Sequence, residues 1–76
     1  MQNLIKVKEV EDRGKYFRVT TEKGIVFSDW TDAKPMKVGK EYVIEWWYSE
    51  KGDYRNIKYA APKEEAMEYK NKEYEE

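Results

Sequence analysis

The side chains best equipped for chemistry in this chain are aromatic and basic, and they come interleaved. Tyr16 and Arg18 lie two positions apart, Trp30 closes a later apolar run, and Trp47, Tyr54, Arg55 and Lys58 follow close together. Flat ring faces beside cations suit single-stranded nucleic acid. Bases stack on the rings for ~1–3 kcal/mol each, and the cations track the phosphates without reading sequence. Lys34 and Lys37, on a polar connection, would assist as auxiliary phosphate contacts.

Other chemistries find less support. The chain contains no His and no Cys. It therefore lacks the commonest general base, a thiol nucleophile, a disulfide framework and the side chains that most often hold transition metals. Ser28 and Ser49 have no imidazole to activate them. Asp29 and Asp32 are close in sequence but supply too few oxygens for a hard-cation loop. The glycines at 14, 24, 39 and 52 are isolated, so none builds a phosphate-cradling loop. The expectation is a non-enzyme with no cofactor and no metal site.

Length and composition set the frame for those residues. Seventy-six residues fit one domain with a small core. Charged residues reach 41%, yet the net charge is −1 and aromatics reach 16%. Disordered chains combine few aromatics with a large net charge, so a folded domain with a charged surface is expected. The charge is uneven along the chain. Residues 1–61 carry twelve Lys/Arg against ten Asp/Glu, and residues 62–76 carry three against six. A mildly basic body with an acidic tail suggests a body that meets an anion and a tail that competes with it or recruits a protein. No apolar run reaches the ~18 residues of a membrane span. Met1-Gln2-Asn3-Leu4 does not open a signal peptide, so a cytoplasmic setting is expected. Gln and Asn are scarce while Lys and Glu abound, a balance that leans towards a thermophilic source.

The elements that must position the aromatic and basic residues are strands. Residues 3–10 alternate branched apolar residues with Lys and Glu. Residues 15–22 place Phe17, Val19 and Thr21 on one face and Tyr16, Arg18 and Thr20 on the other. A turn at Lys23-Gly24 leads to a third strand over 25–30. Residues 31–40 have no apolar period, and Pro35 opposes regular pairing. Residues 41–49 give the strongest strand signal, with Tyr42, Ile44 and Trp46 on one face and Val43, Glu45 and Trp47 on a second, open face. A turn at 50–53 precedes a fifth strand over 54–60, with Ile57 and Tyr59 inward by alternation. Pro62 fits a first helical position, followed by a Glu/Lys-rich helical or frayed tail to residue 76. Phe17, Phe27, Tyr42, Trp46 and Tyr59 suffice for a core, which leaves Tyr16, Trp30, Trp47, Tyr48 and Tyr54 for the surface. Large exposed apolar patches tend to mark contact sites. Met67 and Tyr69 offer a structural alternative, by folding the tail across Trp47.

Five short strands in sixty residues point to a barrel, because closure removes exposed edges. The expected fold is all-β: a five-stranded OB-type barrel over 1–61 with a short C-terminal helix or frayed acidic tail over 62–76. An SH3-like barrel is the competing layout.

The run Gly39-Lys-Glu-Tyr-Val-Ile-Glu-Trp-Trp-Tyr-Ser-Glu-Lys-Gly-Asp-Tyr-Arg-Asn-Ile57 resembles the last hairpin of small OB-fold single-stranded-DNA-binding proteins of phages and archaeal viruses. Tyr16-Phe-Arg-Val-Thr-Thr-Glu-Lys-Gly24 and Val26-Phe-Ser-Asp-Trp30 are similar to their second and third strands, the usual binding face. The resemblance covers about residues 3–61. It implies non-catalytic binding of single-stranded DNA, or RNA, in replication, recombination or repair. An acidic tail also resembles that of single-strand-binding proteins and implies a protein partner, although Tyr74-Glu75-Glu76 lacks the terminal Phe of the bacterial proteins. A homodimer is a further arrangement the chain allows. Lys37-Val-Gly-Lys40 and Ala61-Pro-Lys-Glu64 resemble small SH3-like archaeal chromatin proteins instead, which bind duplex DNA. A net charge of −1 argues against that role, since duplex binding rests on phosphate neutralisation. A protein-interaction module is the other alternative.

Overall fold

The computed structural model describes residues 1–31 and 34–66. Five strands form the body: β1 (Gln2–Asp12), β2 (Phe17–Thr21), β3 (Val26–Asp29), β4 (Glu41–Tyr48) and β5 (Arg55–Pro62). They close in the order β1-β2-β3-β5-β4, with β4 returning to β1. All neighbours are antiparallel except β3 and β5, which run parallel. This closed order, with β1 shared between β2 and β4, makes the fold an OB-type barrel. The SH3-like alternative falls because β3 pairs with β5 where a meander would pair it with β4.

β1 serves two neighbours because it is long. Its residues 2–6 pair with β4, and its residues 7–12 pair with β2. Between the two halves the register slips by one residue: Val7 faces Thr21, Glu9 faces Thr20, and Lys8 faces no residue of β2. A second slip falls on β5, where Glu45 faces Tyr59, Trp46 faces Ile57, and Lys58 is the extra residue. An extra residue bends and twists its strand, which is how a small sheet turns a corner. The short connections use glycine where the backbone must take a positive φ. Gly24 closes the β2–β3 turn at φ 81° and donates its N–H to the Thr21 carbonyl.

The core consists of Ile5, Val7, Val19, Phe27, Met36, Tyr42, Ile44, Trp46 and Ile57. Each such burial contributes ~1.5–3 kcal/mol. Polar atoms inside are satisfied. Trp46 Nε1 donates to Asn3 Oδ1 at 2.7 Å, and the Tyr42 hydroxyl accepts the Lys37 N–H at 2.8 Å. Met36 comes from the connection between β3 and β4, which has no helix among its described residues. One apolar side chain there enters the core, and the polar residues around it stay wet.

Three expectations need correction. Tyr59 does not point inward; it is 55% exposed. The extra residue at Lys58 reverses the alternation beyond Ile57, so Ala60 packs on the core and Tyr59 faces out. Phe17 is half-buried at the start of β2. Nor is the second face of β4 open along its whole length. Val43 is buried in the row Leu4–Val43–Ala61, beside the point where β5 passes into the helix at 63–66. Lys63 Nζ lies 3.6 Å from a Glu41 carboxylate oxygen there. Pro62 ends β5 opposite Tyr42, and the helix begins at the next residue. Met67, Tyr69 and the rest of the tail lie outside the described residues.

Candidate nucleic-acid interface

Strand polarity separates the connections into two sets. Residues 13–16, the 30–40 connection and the C-terminal helix gather at one end of the barrel. The N-terminus, residues 22–25 and residues 49–54 gather at the other. The outer faces of β2, β3 and β5 lie between them. Tyr16 and Arg18 sit on this outer side because Phe17 and Val19 take the inward positions of the alternation. Trp30 follows buried Asp29, whose Oδ1 accepts the N–H and the hydroxyl of Thr31 at 3.0 and 2.6 Å. Asp29 is thus occupied in fixing the chain's exit from β3. Asp32, its expected companion, lies outside the described residues.

Tyr16 and Trp30 stack on one another, with centroids 4.7 Å apart and planes inclined by 28°. Trp30 Nε1 donates to Asn56 Oδ1 at 3.1 Å, which ties the indole to β5. Even so held, Trp30 remains 47% exposed. A ring with its polar atom satisfied and its surface wet is pre-oriented to take a flat ligand, because little conformational freedom is left to lose on binding.

Beside this pair runs a groove of about 380 Å³ lined by Arg13, Tyr16, Arg18, Val26, Ser28, Asp53, Tyr54 and Arg55. Three guanidinium groups therefore meet one carboxylate. Arg13 also pairs with Glu11 at 2.8 Å. Hydrogen bonding to Glu11, and next to the neighbouring Tyr16 hydroxyl, pushes the Arg13 guanidinium further above its ordinary pKa, so it stays charged. Arg18 makes no ion pair among the described residues, and neither does Arg55. The Arg55 guanidinium instead sits 5.9 Å from the Tyr48 ring centroid.

Of the nine residues the sequence nominates, five converge here: Tyr16, Arg18, Trp30, Tyr54 and Arg55. Trp47 belongs to the same side, one strand further on. Arg18 pairs with Ser28, Ser28 with Asn56, and Asn56 with Trp47, so a single row crosses β2, β3, β5 and β4. Trp47 is 49% exposed at the far end of that row. Lys58 is exposed on β5 at the register slip and does not line the groove. Lys34 and Lys37 are exposed on the 30–40 connection, also away from the groove. The sequence reading missed Arg13 and Asn56. Arg13 sits in an acidic turn and donates its N–H to the Tyr16 carbonyl at 2.9 Å, so its closeness to Tyr16 is local. Asn56 acts through a bond to a residue 26 positions away.

Set against protein-family models, curated proteins and solved structures, the chain finds no match.

Proposed function

We propose that the protein binds single-stranded DNA, or RNA, without strong sequence preference, through the outer face between residues 13–16 and 49–54. The observation that carries this reading is the half-exposed Tyr16–Trp30 stack beside a groove with three arginines and one aspartate. A base stacks on Trp30, and further bases find Tyr54 and Trp47. Arg18 and Arg55 meet the phosphates, Arg13 joins them, and Lys58, Lys34 and Lys37 add charge at the margins. Tyr54 is 63% exposed, consistent with a ring that waits for a partner. On this reading the protein resembles small phage and archaeal-virus single-strand-binding proteins. It would act in replication, recombination or repair in the cytoplasm of a host cell, with the acidic segment 62–76 contacting a protein partner.

The test is intrinsic Trp fluorescence titrated with an unlabelled poly-dT oligomer and with a duplex of equal length, at two or more salt concentrations. Quenching by the single strand alone is expected. Three phosphate contacts predict that log K falls with log[salt] at a slope of roughly −2. Equal quenching by the duplex would favour duplex binding by this barrel over single-strand binding. Absence of any change would reject stacking and leave the face for a protein partner.

A further inference from the structure

We propose that the open end of the barrel is a separate nucleotide subsite, which takes one base of a strand continuing past the outer face. The proposal rests on the single-strand reading above. The two ends of the barrel differ. Met36 enters the core from the 30–40 connection at one end. Toward the other, between the N-terminal half of β1, the β2–β3 turn and the β4–β5 residues Tyr48 and Arg55, a cavity of about 410 Å³ stays open. That is the size of small-ligand pockets, ~300–1,000 Å³. Ile5, Phe27 and Trp46 form its apolar floor, and Ile25, Tyr48 and Arg55 stand at its rim.

Charge and continuity select the occupant. Lys6 pairs with Glu22 at 3.7 Å and Glu41 with Lys63 at 3.6 Å, which balances those four lining or neighbouring groups. Lys23 and Arg55 make no ion pair among the described residues. The mouth therefore joins an apolar floor and an aromatic rim to unbalanced positive charge, the complement of a base carried on a phosphate. Arg55 lines both this cavity and the outer groove. A phosphate held at Arg55 leaves one neighbouring base on the outer face and the next at the mouth, against Tyr48. Tyr48 is exposed, and its ring meets Trp46 edge-on at 4.9 Å, so the rim ring is braced from below.

The experiment compares two thymidine oligomers, ~4 and ~12 nucleotides long, within the range one barrel of this type accommodates. Affinities come from anisotropy of labelled oligomers, with circular dichroism as a check on folding. Tyr48→Ala is expected to weaken the longer oligomer about tenfold and the shorter less than about twofold. Lys23→Glu, an exposed turn substitution that leaves the core untouched, should act in the same direction. Trp30→Ala should weaken both oligomers. If Tyr48→Ala and Lys23→Glu change neither while Trp30→Ala weakens both, the mouth is unused and the outer-face reading stands. Equal loss for both oligomers in Tyr48→Ala also overturns the subsite. If the unaltered protein binds neither oligomer, the single-strand reading itself fails, and the subsite with it.

Discussion

Trp46 and Trp30 are the same residue type in two regions of one barrel, and their surroundings differ in kind. Trp46 is 7% exposed, meets Phe27 and Tyr48 edge-on, and donates its indole N–H to Asn3. Every part of it has a partner inside the fold. Trp30 also has its N–H satisfied, by Asn56, and one ring contact, with Tyr16. Much of the rest faces water, next to the arginine-lined groove that Tyr16 borders. The inner ring spends its area on stability. The outer ring is held in place yet returns little stability for its size, since only area removed from water counts. On the proposed reading, an aromatic residue that is positioned but not covered is a contact waiting for its base.

Substitution can break that comparison. Trp46→Ala should cost ~3–5 kcal/mol, the usual toll of emptying a large core site and leaving a cavity. It also strands the Asn3 side chain that accepted the indole N–H. In a domain whose total stability is on the order of 5 kcal/mol, urea denaturation should find the variant largely unfolded at room temperature. A midpoint within experimental error of the unaltered protein would mean that Trp46 is not the keystone of the interior.

Trp30→Ala should separate stability from binding. Losing one stack and one exposed hydrogen bond should cost about 1 kcal/mol of folding free energy. Affinity for a poly-dT oligomer should fall by ~5- to 100-fold, the loss expected for one stacked base. Arg18→Ala should weaken binding less, yet flatten the salt dependence by ~0.7 in slope, one phosphate's share on a single strand. Should Trp30→Ala unfold the protein while Trp46→Ala does not, the assignment of inner and outer roles is reversed.

The two regions were not equally legible in the sequence. Strand positions, the barrel and the inner aromatics Phe27, Tyr42 and Trp46 follow from period-two alternation, because burial imposes that period directly. The outer cluster was legible by elimination: twelve aromatics exceed what the interior holds, so Tyr16, Trp30, Trp47 and Tyr54 were left for the surface. The arrival of Tyr54, Arg55 and Trp47 beside Tyr16 and Trp30 was not legible. It depends on β3 lying parallel to β5, a pairing between segments nearly thirty residues apart. The register slips were also hidden. Lys8 and Lys58 look like ordinary outward residues, and nothing local marks them as the points where a strand gains one residue. Counting alternation across such a point puts every later side chain on the wrong face.

Tyr59 makes that error measurable, and it carries the smallest expected effect. Strict alternation from Ile57 places its ring in the core, where truncation to alanine would cost ~3–5 kcal/mol. The slip at Lys58 places it outside, opposite Glu45 and 55% exposed, while Ala60 packs on the core in its stead. An exposed strand residue away from core, caps and networks changes stability by about 0.5 kcal/mol or less. Tyr59→Ala should therefore leave the urea midpoint nearly unchanged. Deleting Lys58 tests the same bulge from the other side. With the extra residue gone, Ile57, Tyr59 and Ala60 become consecutive and keep Trp46, Glu45 and Ile44 as partners, so Tyr59 stays outward and the variant should remain folded, losing the bend that the extra residue supplies. A Lys58 deletion that unfolds the protein, paired with a strongly destabilised Tyr59→Ala, would restore strict alternation and remove the bulge from this barrel.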